Sequence, residues 1–211
     1  MQTDKSFRNE QETFWEGTFG ADYIGRNQSD LLLASNLSFF SKALNQAASI
    51  SSVCEFGANI GMNLKALKLL IPELQCTGVE INTTASRELE KIVGTKNTHN
   101  CSITEAQLNG KFDLTMVKGV LIHINPNQLE AVYQKLVDHS NRYILISEYY
   151  NPTPVALTYR GSENKLFKRD FAGELLDKFK HLKLLDYGFS YHRDTNWPQD
   201  DINWFLLEKV S

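Results

Sequence analysis

Several familiar organising devices are scarce or missing in this 211-residue chain. There are three cysteines, Cys54, Cys76 and Cys101, an odd number, and no Cys/His spacing that fits zinc. A disulfide framework or a zinc module is therefore a poor account of the fold, and buried free thiols in a reducing compartment are the better one. Positive charge is not in excess: the formal net charge is -3, which removes any global electrostatic case for nucleic acid or an anionic membrane. No apolar run approaches the ~20 residues that span a bilayer. The opening MQTDKSFRNEQETF is polar and carries acids, unlike a secretory leader, so a cytoplasmic protein is expected. No internal repeat, low-complexity tract or linker divides the chain, and the dinucleotide fingerprint G-x-G-x-x-G does not occur.

What is present is an alternation of strand-like and helix-like segments. A helix is predicted within Ser29 to Ala48, where Leu32, Leu33, Leu37, Phe40 and Leu44 recur at helical spacing. SSVCEFG reads as a strand, MNLKALKLLI as a helix ending before Pro72, and LQCTGVEI as a strand. TTASRELEKIV is a helix closed by Gly94, THNCSI a short strand and KFDLTMVKGV a longer one. NPNQLEAVYQKLVDHS is expected to be a helix with Asn125 as N-cap and Pro126 in its first turn. NRYILISEYY, LKLLDYGFSY and INWFLLEKV read as strands, and KRDFAGELLDKF as a helix. Repeated strand–helix units of this length predict one α/β domain over residues 1–211, a mainly parallel sheet of seven strands with helices on both faces. The last two strands lack a helix between them and are expected to pair as an antiparallel hairpin at one edge.

The most informative stretch is SVCEFGANIGMNLKAL. A strand, a glycine-lined turn and a helix start follow one another without a spacer. In a doubly wound sheet, ligands bind at the carboxyl ends of the strands, where the strand order reverses. Gly57 and Gly61 let backbone approach a ligand closely, and the following helix offers unpaired N–H groups. Glu80 closes the second strand in TGVEIN, where a carboxylate can accept both hydroxyls of a ribose. Glu55 stands close to where a positively charged group, an amine or a sulfonium, would lie.

Taken together, these residues resemble the class I S-adenosylmethionine (SAM)-dependent methyltransferase pattern. Its first motif, acidic-x-Gly-x-x-x-Gly, matches Glu55, Gly57 and Gly61; its second acidic position matches Glu80. Its fourth-strand element matches FDLTMVKGVLIHI at Phe112, Asp113, Lys118, Gly119, Val120 and His123. The slot for the adenine amino group falls near Ser102 and Ile103, without the usual acid. A narrower resemblance runs over nearly the whole chain, through FWEGTFGADYIGRN, KGVLIHINP, SEYYNPTPVALTYRG, LFKRDFAGELLDKF and DYGFSYHRDTNWPQDDINWFLLEK. These segments look like the methylases encoded beside pseudaminic acid and related nonulosonic acid genes.

The resemblance implies a Rossmann-like fold, SAM as methyl donor with S-adenosylhomocysteine (SAH) as product, no metal, and a small polar acceptor such as a sugar or sugar-linked metabolite. Cofactor contacts are expected from Tyr23, Arg26, Glu55, Gly57, Asn59, Gly61, Glu80, Ile81, Ser102, Ile103 and Lys118. His123 is the leading general base, with a loop-capping role as the alternative; Glu148 and Tyr149 complete the catalytic candidates. Tyr150, Tyr159, Arg160, Lys168 and Arg169 are expected to contact the acceptor, Arg160 above all as an anion contact. A lid is expected within residues 1–48 and a substrate-side insertion within 150–170. Asp194, Trp197, Asp200 and Asp201 either cradle a cationic acceptor or form a polar turn. An RNA acceptor, a non-catalytic SAM-binding module, other chemistry on SAM, and a homo-oligomer remain compatible with the same residues.

Overall fold

The first helix, α1 (Glu10–Glu16), carries no periodic apolar stripe and is set by its cap. The Asn9 side chain accepts the Glu12 N–H at 2.8 Å, and Glu12 returns the bond to the Asn9 N–H at 3.2 Å, a capping box. The computed structural model describes residues 9–17, 20, 29–159 and 162–210, the side chains of 159 and 162–165 excepted. Helix α2 (Asp30–Ala43) starts where Ser29 Oγ accepts the Leu32 N–H at 3.1 Å, one residue into the stretch the spacing marks.

From there the chain runs β1 (Ser52–Phe56), α3 (Met62–Leu70), β2 (Gln75–Val79), α4 (Thr83–Val93), β3 (Thr98–His99) and β4 (Phe112–Lys118). It continues through α5 (Leu129–Asp138), β5 (Ser140–Glu148), a hairpin of β6 (Val155–Tyr159) and β7 (Ser162–Lys168), α6 (Phe171–Lys178), β8 (Leu182–Ser190) and β9 (Ile202–Lys209). The seven-stranded sheet has the order β3-β2-β1-β4-β5-β9-β8. Strands β1 to β5 pair in parallel, and β9 enters antiparallel between β5 and β8. The predicted edge hairpin is therefore present, with β8 outermost.

Alternate residues of each buried strand serve opposite faces. Cys54 and Phe56 of β1 join Val117, Leu136, Ile144 and Phe171 in one core layer. Val53 joins Leu64, Leu67, Met116, Tyr143 and Leu145 in the other. Burial on both faces explains why β1, β4 and β5 read as nearly unbroken apolar runs. Strand order reverses between β1 and β4, which opens a crevice at their carboxyl ends.

One local expectation needs correction. The segment after Asn125 begins as a 3₁₀ turn, Pro126–Gln128, and becomes α-helical only at Leu129; Asn125 does cap it, accepting the Asn127 N–H at 3.0 Å. The charged stretch after β5 forms the separate β6–β7 hairpin, anchored by buried Leu166 and Phe167 and packed on the turn that follows β4. Among the described residues no helix is long and apolar enough to cross a membrane.

Candidate functional site

The GANIG turn is held by the strand beside it. The Val79 carbonyl accepts the Gly57 N–H at 2.8 Å and the Ala58 N–H at 3.0 Å. Gly57 (φ 77°), Asn59 (φ 49°) and Gly61 (φ 82°) all take the left-handed conformation, which winds the chain tightly into α3. A Cβ at Gly57 would lie 2.6 Å from Val120 Cγ2, so this glycine lets the turn after β1 sit against the turn after β4. A Cβ at Gly61 would meet Leu89 at 2.9 Å; that glycine serves the packing of α3 on α4 and does not line the cavity.

Glu80 ties this turn to its own strand end. Its Oε2 accepts the Asn59 N–H at 2.8 Å and its Oε1 the Asn82 N–H at 2.7 Å. Burial raises its pKa from the ordinary carboxyl value, and the Asn82 and Asn59 donors oppose the rise. Glu55 is fully buried behind the turn and accepts from Asn63 Nδ2 at 2.6 Å, while its Oε2 has no partner. Desolvation lifts its pKa to about 8, against the Asn63 bond and the Lys118 charge. Lys118 ends β4 with its ammonium 5.4 Å from the Phe39 ring centre; burial lowers its pKa, and Glu55, Asp200 and Glu148 pull it back up.

These elements border a cavity of about 630 Å³ at the carboxyl ends of β1, β2, β3 and β4. Gly57, Asn59, Glu80, Ile81, Ser102, Ile103, Lys118 and His123 all line it. So do Met62 and Asn63 of the first turn of α3, where backbone N–H groups have no partner within the helix. Asn59 Oδ1 is buried without a hydrogen-bond partner beside them.

Helix α1 forms one side of this cavity, and the loops at the sheet's edge hold it there. Asn82 Nδ2 donates to the carbonyls of Trp15, Glu16 and Gly17 at 3.2, 3.1 and 3.3 Å. Ser102 Oγ donates to Glu12 Oε1, Asn125 Nδ2 to Gln11 Oε1 at 3.1 Å, and Asn9 Nδ2 to Gln128 Oε1. The Trp15 ring lies 4.5 Å from the His123 ring, tilted by 52°. The last loop completes the opposite wall with Gln199 and Asp200; Gln199 Nε2 donates to Asn36 Oδ1 of α2 at 3.0 Å.

Other candidates lie elsewhere. Glu148 does not face the cavity: its Oε1 accepts the N–H groups of Val120 and Leu121 at 2.8 and 2.9 Å, and its Oε2 faces that of Ile122 at 3.4 Å. It is buried under the Leu121–His123 turn, where desolvation raises its pKa to about 7. Tyr149 packs against the core beneath, with Lys168 Nζ 5.1 Å from its ring centre, and Tyr150 turns outward toward Phe205. Arg169 pairs with Glu174 at 2.6 Å. None of these five side chains is on the lining of the cavity that Glu80 and His123 border. Asp113 is structural too, accepting from Ser51 and Ser52 at the opposite end of the sheet. Tyr23, Arg26 and Arg160 lie outside the described residues, as does the side chain of Tyr159.

Sequence reasoning missed Glu12, Trp15 as a partner of His123, Asn36, Asn82 and Gln199. Two had a local signal: Asn9 three residues before Glu12 is a capping-box spacing, and Asn82 precedes Thr83 at a helix start. Asn82 Oδ1 indeed accepts the Thr84 and Ala85 N–H groups at 3.0 Å each. Among the described residues, no group of three or more His, Cys, Asp or Glu side chains converges to hold a metal ion.

No family model matches the chain, and no curated protein matches it. Solved structures do. The 1,6-didemethyltoxoflavin-N1-methyltransferase of Burkholderia thailandensis, with 1,6-didemethyltoxoflavin and S-adenosylhomocysteine bound, superposes with a TM-score of 0.69 over 99% of this chain and 94% of that one, at 14% identity. Magnesium protoporphyrin IX methyltransferase from Synechocystis PCC 6803, with SAM bound, gives 0.63 over 99% and 100%, also at 14%. The mitomycin 7-O-methyltransferase gives 0.63 at 11% identity; this chain, 94% covered, spans 60% of that protein's length. At this depth the likeness establishes the Rossmann-like methyltransferase fold.

Proposed function

We propose that the protein is a SAM-dependent methyltransferase acting on a small polar acceptor, most specifically a sugar or sugar-linked metabolite of nonulosonic acid and surface-glycan metabolism. One observation carries the first half: the Glu80 carboxylate, at the end of β2, is bonded to the left-handed Asn59 of the glycine turn inside a cavity that the start of α3 also lines. The fold neighbours crystallised with SAM or SAH support it. The acceptor class rests on the whole-chain sequence resemblance.

The donor groups present fit the cofactor. Glu80 retains acceptor capacity for ribose hydroxyls, and the buried, unpartnered Asn59 Oδ1 and the first-turn N–H groups of α3 offer polar contacts nearby. Among the described residues, Lys118 is the one lysine or arginine on the cavity lining and is available to a carboxylate. When bound, SAM would supply a sulfonium methyl group to an in-line nucleophile, the thioether of SAH being the leaving group. His123, on the cavity wall and held against Trp15, would take the proton that a hydroxyl acceptor releases. Glu148 would act at one remove, fixing the turn that presents His123. Helix α1 would exclude water as a lid.

The test is calorimetric titration of SAM and SAH into wild type and Glu80→Ala, followed by mass spectrometry of nucleotide sugars and amino sugars incubated with enzyme and SAM. Binding that Glu80→Ala weakens, with a methylated product, supports the reading. A folded wild type that binds neither ligand overturns it.

A further inference from the structure

We propose that Glu12, carried on the lid helix α1, is the hydrogen-bond acceptor for the exocyclic amino group of the cofactor's adenine, so that closing the lid and reading the base are one event. This rests on the reading of the site as a SAM site.

The argument starts at Glu80. A carboxylate at the end of the second strand marks the ribose position, and the same cavity is lined by Ile81 after β2, Ala85 of α4 and Ile103 after β3. Those three side chains give this part of the lining apolar surface, the kind a flat base packs on. Three acidic side chains line the whole cavity among the described residues: Glu80, Asp200 and Glu12. Glu80 stands at the ribose, and Asp200 belongs to the β8–β9 loop beside Lys118. Glu12 is the acid beside the β3 loop, and Ser102 of that loop fixes it there by donating its hydroxyl to Oε1. The second carboxyl oxygen accepts the Asn9 N–H at 3.2 Å. A carboxylate accepts about four hydrogen bonds, so both oxygens keep capacity for an amino donor.

Ser102 itself offers only a hydroxyl, and by donating it to Glu12 it points a carboxylate into this part of the cavity. The acid comes from a part of the chain 90 residues away in sequence. Its position depends on the other ties of α1, from Asn82, Asn125 and Gln128 on the loops after β2 and β4. A lid that opens carries the base acceptor away with it.

The experiment compares SAH with S-inosylhomocysteine, in which a carbonyl replaces the amino group, by titration calorimetry on wild type, Glu12→Gln and Ser102→Ala. Glutamine preserves length and still completes a capping box, so α1 stays formed. Wild type is expected to prefer SAH by roughly 10–100-fold, the value of a hydrogen bond to a charged group. Glu12→Gln is expected to abolish or invert that preference, because the amide N–H can donate to the inosine carbonyl; Ser102→Ala is expected to reduce it in part. Equal weakening of both ligands by Glu12→Gln, or no change in either, would overturn the assignment and leave Glu12 a purely structural residue. Binding of neither ligand by wild type would overturn it together with the SAM reading, and the two failures are thereby distinct.

Discussion

Asn59 and Glu80 are separated by 21 residues and joined by one short bond, the Asn59 N–H to Glu80 Oε2 at 2.8 Å. The two halves of the sequence signature, a glycine turn and an acid at the next strand end, are thus a single mechanical unit. The carboxylate organises the turn by itself.

Glu80→Ala removes the acceptor of two backbone N–H groups, those of Asn59 and Asn82. Each unanswered donor costs roughly 1–3 kcal/mol, and the proposed ribose contact goes with them. Glu80→Gln keeps one carbonyl acceptor. SAH affinity should fall in the order wild type, Glu80→Gln, Glu80→Ala, with the last at least ~100-fold weaker. Calorimetry at constant pH reads the order directly. An alanine variant that matched wild type would remove Glu80 from the site.

Gly57→Ala meets two obstacles, a left-handed φ of 77° and a Cβ 2.6 Å from Val120 Cγ2. The first costs roughly 1–2 kcal/mol and the second adds to it. Val120→Ala in the same chain should recover only the steric part. Urea denaturation of the four members of this cycle should therefore show a positive but incomplete coupling; strict additivity would mean that the two turns do not touch in solution.

Asn82 has two tasks that one substitution separates. Its Oδ1 caps α4, and its Nδ2 holds the last carbonyls of α1. Asn82→Asp keeps the cap, with a charge that suits a helix N-terminus, but turns the donor into an acceptor facing three carbonyls. We expect α1 to detach: faster proteolysis near residues 9–17 and a red shift in Trp15 emission, with the melting temperature within a few degrees of wild type. Unchanged proteolysis would show that the other ties suffice.

Glu55 gives the stability a pH signature. Burial lifts its pKa from 4.5 to about 8, so the folded chain holds a proton that the unfolded chain releases. Its contribution is complete below pH 4.5, declines as pH rises, and is lost above about 8. Glu55→Gln mimics the protonated form at every pH. The stability gap between variant and wild type should widen in the variant's favour across that window, by on the order of a few kcal/mol. Parallel stability curves would sink this account.

The strands and helices of the sheet were legible because each buries both faces or one stripe, and burial writes itself into apolar spacing. Helix α4 was readable to the residue, since TTASRELEKIV has an amphipathic pattern and Gly94 at its end takes φ 83°. Helix α1 was not, because seven residues held by a capping box and by loops from elsewhere need no stripe of their own. The β6–β7 hairpin hid for a related reason: its pattern is charged, and its anchors, Leu166 and Phe167, are adjacent rather than alternating.

Among the site residues, the sequence by itself determined Gly57, Glu80, Lys118 and His123, because strand ends and turns are local and the topology of a doubly wound sheet brings strand ends to one rim. Only the tertiary structure decided which way the neighbours of those residues face. Glu148 follows Ser147 at the end of β5 and has the right chemistry for catalysis, yet its carboxylate is taken by the backbone of the turn after β4. Glu12 carries no signal of function in its surroundings, yet Ser102 draws it to the rim. A hydrogen bond between residues far apart in the chain leaves no periodic trace in sequence, so it has to be found in space.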